Sequence, residues 1–251
     1  MKNYREEYPY LYETHLHTKE ISACARSSAG DMARACKAAG YTGIFVTNHN
    51  WYGNTTISRR LPWKEFVERF AEGYENAKRV GEEIGLDVFF GWEAGYQGTE
   101  FLIYGLDVEW LMNHPEIKDA SVAEQFSIVH EGGGLVIHAH PFREEDYIPE
   151  IRLFPDLVDG VEGINATHSC HLSISHNKKE FDDRAVAYAA EHHLPLTAGS
   201  DIHSSYLFGG GMAFKRRLKS GQDFVAAFRG GEDYVMTNGD DWFDKTGKKL
   251  L

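Results

Sequence analysis

The sequence predicts an α/β fold in which strands and helices alternate and the strands close into a parallel barrel. Three observations carry this expectation. Short apolar runs such as Gly43-Ile44-Phe45-Val46-Thr47 have the composition of strands buried on both faces. They alternate with longer segments whose apolar residues recur at helical spacing. Histidines and carboxylates follow many of these strands instead of flanking one crevice, which favours a barrel over an open doubly wound sheet.

The elements follow in chain order. Tyr12-Glu13-Thr14-His15-Leu16-His17-Thr18 is a strand that ends in two histidines, and Lys19-Glu20-Ile21-Ser22 is a loop. A helix is expected over 31–39, where Met32, Ala35, Cys36 and Ala39 recur at helical spacing and Gly40 supplies the stop. The strand at 43–47 leads to His49. After a polar loop at 51–61, Pro62 opens a helix through 84, with Phe66, Phe70, Tyr74, Ala77 and Val80 on one face and Gly85 at its end. Strands are expected at 86–90, with Glu93 just past it, and at 100–104. A helix at 121–131 precedes a strand at 135–140 that Pro141 stops. A strand at 160–165 leads into a histidine-rich loop, then come a helix at 178–193 and a strand at 196–199. A helix at 220–229 and a short strand at 234–236 close the chain. About seven main strands result, with no linker, low-complexity tract or repeat, so residues 1–251 are expected to form one domain.

The bulk numbers exclude several classes. A hydrophobic fraction of 42% and a charged fraction of 25% are ordinary for a soluble globular protein. No apolar run reaches the roughly 18–20 residues of a membrane span. Met1-Lys2-Asn3-Tyr4-Arg5-Glu6-Glu7 lacks the apolar core of a signal peptide, so a cytoplasmic location is expected. Cys24, Cys36 and Cys170 are odd in number and widely spaced, which suggests neither a disulfide framework nor a zinc knuckle. A net charge of −12 argues against general binding to nucleic-acid backbones, leaving a nucleotide or short oligonucleotide only as substrate. Nothing in the pattern sets an oligomeric state.

Position decides what the thirteen histidines do. Residues i and i+2 of a strand share a face, so His15 and His17 can grip one metal ion from one side. A lone His-x-His is a weak signal. Four further stretches strengthen it, each at the end of a strand-like run: Thr47-Asn48-His49-Asn50, Gly91-Trp92-Glu93, His138-Ala139-His140-Pro141 and Gly199-Ser200-Asp201-Ile202-His203. Imidazole with carboxylate suits zinc, manganese or iron, and a bridging carboxylate can hold two ions together. His138 reads as a core or supporting residue, and His114, His130, His192 and His193 carry no chemistry in this reading.

These motifs, from His15-x-His17 through His140-Pro141-Phe142 to Gly-Ser-Asp201-Ile-His203, resemble those of the PHP (polymerase and histidinol phosphatase) superfamily of metal-dependent phosphoesterases. The resemblance covers residues 12 to 205. It implies a distorted (β/α)7 TIM-like barrel with two or three divalent metal ions at the C-terminal ends of the strands. By resemblance, His15, His17, Glu93 and Asp201 hold a first metal. Glu93 bridges to a second, which His140 also binds, and His49 and His203 hold a third. Two positions depart from the commoner pattern. Glu100 stands where many members have histidine, and Glu20 is the nearest candidate for a third-metal ligand after the first motif.

The expected activity is hydrolysis of a phosphomonoester on a small soluble phosphorylated substrate, by a metal-bridging hydroxide. Glu93, Asp201 and His203 are expected to carry catalysis. Arg143, two residues past His-Pro, is the first candidate for a phosphate clamp, and Arg59, His168, His171 and His176 are further candidates. Two other classes stay open: a metallohydrolase of C–N or C–O bonds on the same barrel, and a non-catalytic metal-binding module.

Overall fold

The structure, a computed structural model, describes residues 4–251. Ten strands form one sheet: β1 (Tyr10–Leu16), β2 (Gly43–Val46), β3 (Asp87–Tyr96), β4 (Thr99–Tyr104), β5 (Leu135–Ala139), β6 (Gly160–Asn165), β7 (Leu196–Gly199), β8 (Gly210–Phe214), β9 (Tyr234–Asn238) and β10 (Trp242–Phe243). Their spatial order is β10-β9-β8-β1-β2-β3-β4-β5-β6-β7. The helices are α1 (Tyr4–Glu7), α2 (Ala29–Ala38), α3 (Trp63–Ile84), α4 (Val108–Asn113), α5 (Val122–Glu131), α6 (Ala166–Ser169), α7 (Glu180–Glu191) and α8 (Gly221–Arg229).

Local chemistry sets the helix ends. The Ser28 side chain accepts from Asp31 N at the start of α2, and Ser121 with Glu124 forms a reciprocal capping box at α5. Gly85 ends α3 in the left-handed conformation, φ 71°. One core cluster gathers aromatic rings from several strands and α8, with Phe45 5.1 Å from Phe89 and from Tyr104, and 4.9 Å from Phe224 between ring centroids.

The sheet is mixed where an all-parallel barrel was expected. β1, β2 and β3 are parallel, as are β5, β6 and β7, but β4 runs antiparallel to both β3 and β5. The reversal is made by a two-residue turn between paired Tyr96 and Thr99, in which Gln97 (φ 50°) and Gly98 (φ 86°) are both left-handed. Two consequences reach the site. β3 extends through the hairpin, so Glu93 lies within the strand and not past it. The reversal also carries Glu100, at the start of β4, to the end of the sheet where β3 and β5 finish.

Strand β8 adds a strand that the sequence pattern does not signal, and its glycines have a packing reason. They permit a close approach: a Cβ on Gly211 (φ 141°) would lie 2.2 Å from Tyr12 O. β8, β9 and β10 extend the sheet by antiparallel pairing beyond β1. At the other edge, the chain leaving β7 curls back to β1 through one parallel bridge between Leu16 and Ile202. There His17 N donates to Ile202 O (2.9 Å) and Ile202 N donates to His15 O (3.1 Å). No helix of the described residues is long and apolar enough to cross a membrane.

Candidate metal centre

Glu93 is the hub of the site, and its side chain is buried. Oε1 lies 3.1 Å from His15 Nε2 and 3.1 Å from His140 Nε2. Oε2 lies 2.7 Å from His49 Nδ1 and 3.5 Å from His17 Nε2. Asp201 faces the same space, with Oδ1 3.4 Å from His15 Nε2 and 3.2 Å from His17 Nε2. Glu100 adds a third carboxylate, 3.6 Å from both His49 Nδ1 and His140 Nε2.

The backbone bends at the residues that turn into this space. His140 (φ 27°) and Asp201 (φ 52°) both adopt left-handed conformations that non-glycine residues rarely take. The β1 register shifts between Glu13 and Leu16, and that of β6 between Glu162 and Ile164. Such irregularities re-aim side chains next to a site. His15 and Glu162 meet there, Nδ1 to Oε1 at 2.9 Å. A carboxylate only accepts, so His15 donates through Nδ1 and its Nε2 is left to the cluster. His17 is fixed likewise. Its Nδ1 lies 3.1 Å from Ser22 Oγ, whose own hydrogen goes to Asn48 Oδ1 (3.0 Å).

His15 Nε2, His17 Nε2, His49 Nδ1 and Glu93 Oε2 are buried and make no well-formed hydrogen bond among the described residues. Converging unsatisfied imidazole nitrogens and carboxylate oxygens would be costly in an ordinary core. They fit divalent cations. Four groups can each hold an ion: His15, His17 and Glu93; His15, His140 and Asp201; His49, Glu93 and Glu100; and His17, His49 and His203. Burial opposes charge on Glu93 and Asp201. The imidazoles of His15 and His49 nevertheless pull Glu93 well below the usual carboxylate range, and Arg143 and His15 do the same for Asp201.

The structure thus brings His15, His17, His49, Glu93, Glu100, His140, Asp201 and His203 together. It does not bring Glu20, whose two carboxylate oxygens accept from Ala29 N (3.0 Å each) at the start of α2. Arg143 is buried at the cluster, with Nη2 2.7 Å from Asp201 Oδ2 and Nε donating to His168 Nε2 (3.0 Å). His168 lies on the short helix α6, not in an open loop, and its Nδ1 lies 2.8 Å from Asp182 Oδ1. Three other candidates stand apart from the clusters that join at Glu93. Arg59 is exposed and donates to Gly53 O (3.1 Å). His171 pairs with Asp240 in a separate group with Cys170. His176 pairs with Glu145 (2.5 Å). His138 packs flat on Phe101, ring centroids 4.8 Å apart, in the core.

Residues 179–232 match a family model described as PHP-associated. The fold is shared with a two-domain protein from Bacteroides vulgatus ATCC 8482, described as containing a predicted PHP-like metal-dependent phosphoesterase. The TM-score is 0.66 at 14% identity, covering 91% of this chain and 64% of that one. One segment of the chain is thus similar to a PHP-associated family, and the fold is that of a protein with a predicted PHP-like domain.

Two more solved structures share the fold. PsfC from Pseudomonas syringae PB-5123 has a TM-score of 0.60 at 18% identity, covering 86% of this chain and 88% of that one. An amidohydrolase from Chromobacterium violaceum has 0.52 at 13%, covering 77% and 87%. The chain spans less than two thirds of the Bacteroides protein, 64% of its length. No curated protein matches it. Four residues at the site give no signal in the sequence: Glu162, Ser22, Asp182 and Cys24. The first three hold histidines through hydrogen bonds, and a carboxylate in the strand Gly160-Val161-Glu162 gives no spacing signal. Cys24 Sγ lies 3.3 Å from His49 Nε2. Burial opposes its ionisation, but hydrogen bonds to His203 and His49 bring the thiol down to about 7.

Proposed function

We propose that the chain is a metal-dependent hydrolase of phosphate esters, acting on a small phosphorylated substrate with two or three zinc, manganese or iron ions. One observation carries the reading: imidazoles and carboxylates from five strand ends converge on Glu93 with unsatisfied donor atoms buried between them. Bound divalent ions would supply Lewis acidity toward a phosphoryl oxygen and acidify a water into a nucleophile at neutral pH.

The chain's own residues prepare that chemistry. Glu162 and Ser22 fix the tautomers of His15 and His17, so both present Nε2. Asp182 holds His168, and His168 takes the Nε–H of Arg143, which fixes the plane of the guanidinium. Its outer edge, now on Asp201 Oδ2, supplies the two-pronged donor that matches a phosphate. His203 is the most open of the clustered histidines and marks the side on which substrate enters.

Hydrolysis of an amide C–N bond is the second reading, favoured by the fold shared with the Chromobacterium amidohydrolase. The two are separated by offering the metal-loaded protein a panel of phosphomonoesters, phosphodiesters and N-acyl compounds, with manganese, zinc and iron in turn. Metal-dependent phosphate release supports the first reading. Amine release with no phosphate release overturns it in favour of the second.

A further inference from the structure

The loop after β1 reaches the cluster through Cys24. With Glu20 committed to the start of α2, no carboxylate of that loop is available beside His49 and His203. The thiol of Cys24 is there instead, its Sγ 3.3 Å from His49 Nε2. His49 is one of three imidazoles that face one another, with ring centroids of His17 and His49 4.4 Å apart and of His17 and His203 4.3 Å apart. Their ligand atoms all lie within 4.8 Å of one another.

Each ring has one nitrogen already beside an oxygen. His17 Nδ1 faces Ser22 Oγ (3.1 Å), His49 Nδ1 faces Glu93 Oε2 (2.7 Å) and His203 Nδ1 faces Asp201 O (2.9 Å). Each therefore has Nε2 to offer. His17 Nε2 is fully buried and unpartnered. A thiolate and an imidazole nitrogen sharing one tetrahedral zinc ion stand about 3.6 Å apart, from bond lengths of roughly 2.3 and 2.05 Å. The Cys24–His49 separation is within a few tenths of an ångström of that.

We propose that Cys24 is a sulfur ligand for a cation held by His49 and His203 beside His17, so that this one position of the centre selects a thiophilic ion such as zinc. The inference rests on the metal-centre reading above, but it requires no turnover. The positions around Glu93 and Glu100 offer carboxylate oxygen with imidazole nitrogen and no sulfur, and a thiolate shifts preference toward zinc, cobalt and iron over manganese or magnesium.

The test is cobalt substitution of the full chain, with bound metal counted by elemental analysis. Wild type is expected to show a sulfur-to-cobalt charge-transfer band in the near ultraviolet, and Cys24→Ser to lose it while cobalt stays bound at the Glu93 positions. Zinc is expected to shield Cys24 from alkylation in the native protein, with Cys36 and Cys170, both buried, as internal controls. Cobalt-loaded wild type without the band, a band that persists in Cys24→Ser, or alkylation unaffected by zinc would each overturn the proposal. The band present with no phosphate release from any ester would instead leave this ligand standing and remove the phosphoesterase reading.

Discussion

His15 Nδ1 lies 2.9 Å from Glu162 Oε1, with both side chains fully buried. Glu162 also accepts from His140 N (3.2 Å) and Asn165 Nδ2 (3.0 Å), so one carboxylate orients ligands from β1 and from the end of β5. Glu162→Gln should keep the fold and weaken metal binding roughly 10–100-fold, the usual cost of a lost partner behind a ligating histidine. Competition against a chelator reads this directly, and unchanged affinity would show that Glu162 serves packing alone.

Metal uptake should release protons. Burial opposes charge on His15 and His49. Glu162, Asp201 and Glu93 nonetheless hold the metal-free His15 well above the usual imidazole range, and Glu93 with Cys24 does so for His49. Metal takes the neutral ring, so affinity must fall as pH drops below these raised values and climb as pH rises through them. Calorimetric titration at about pH 7 in two buffers of different ionisation enthalpy should give different heats. Equal heats would contradict the assignment.

His138 titrates in the opposite sense. Burial, followed by His140 and Arg152, pushes it down to about 3, and neither ring nitrogen has a hydrogen-bond partner among the described residues. The unfolded chain binds this proton first, near its ordinary value of about 6.5. Stability is therefore complete above that pH and is lost between about 6.5 and about 3, by roughly 1.4 kcal/mol per pH unit. His138→Phe, which extends the stack on Phe101, should be more stable than wild type by a margin that widens from neutral pH to pH 5. Parallel melting curves at both pH values would refute this.

Gly73 sits in the middle of α3, where alanine would ordinarily gain about 1 kcal/mol. A Cβ there would lie 2.5 Å from Thr18 Oγ1 and 2.8 Å from Asn48 Nδ2. Asn48 accepts from Thr18 N and from Ser22 Oγ, and Ser22 holds His17. Gly73→Ala should therefore lose about 1–3 kcal/mol by overpacking and also weaken metal binding. A higher melting temperature with unchanged affinity would contradict the account.

What was legible in the sequence followed from period and chain order. The helices at α3, α5 and α8 have apolar faces and end signals, and the structure places them close to the expected bounds. The strand-end motifs carry the ligand types, and the fold gathers them. Long-range pairing was not legible. Glu100 reads as the start of one more parallel strand until the Gln97-Gly98 turn is seen to reverse β4. Glu20 and Cys24 lie four residues apart in one loop, and only the folded chain shows the carboxylate turned to α2 and the thiol to His49. β8 hides behind Gly209-Gly210-Gly211, because its fit depends on contact with Tyr12 from the far end of the chain.

The central claim is that the cluster around Glu93 is a hydrolytic metal centre. The most direct measurement is phosphate release by metal-loaded wild type beside His15→Ala and Asp201→Asn, with metal content and circular dichroism taken on the same samples. The account predicts release that requires metal, and variants that stay folded but lose both bound metal and nearly all turnover. Variants that lose metal yet release phosphate at the wild-type rate would contradict it.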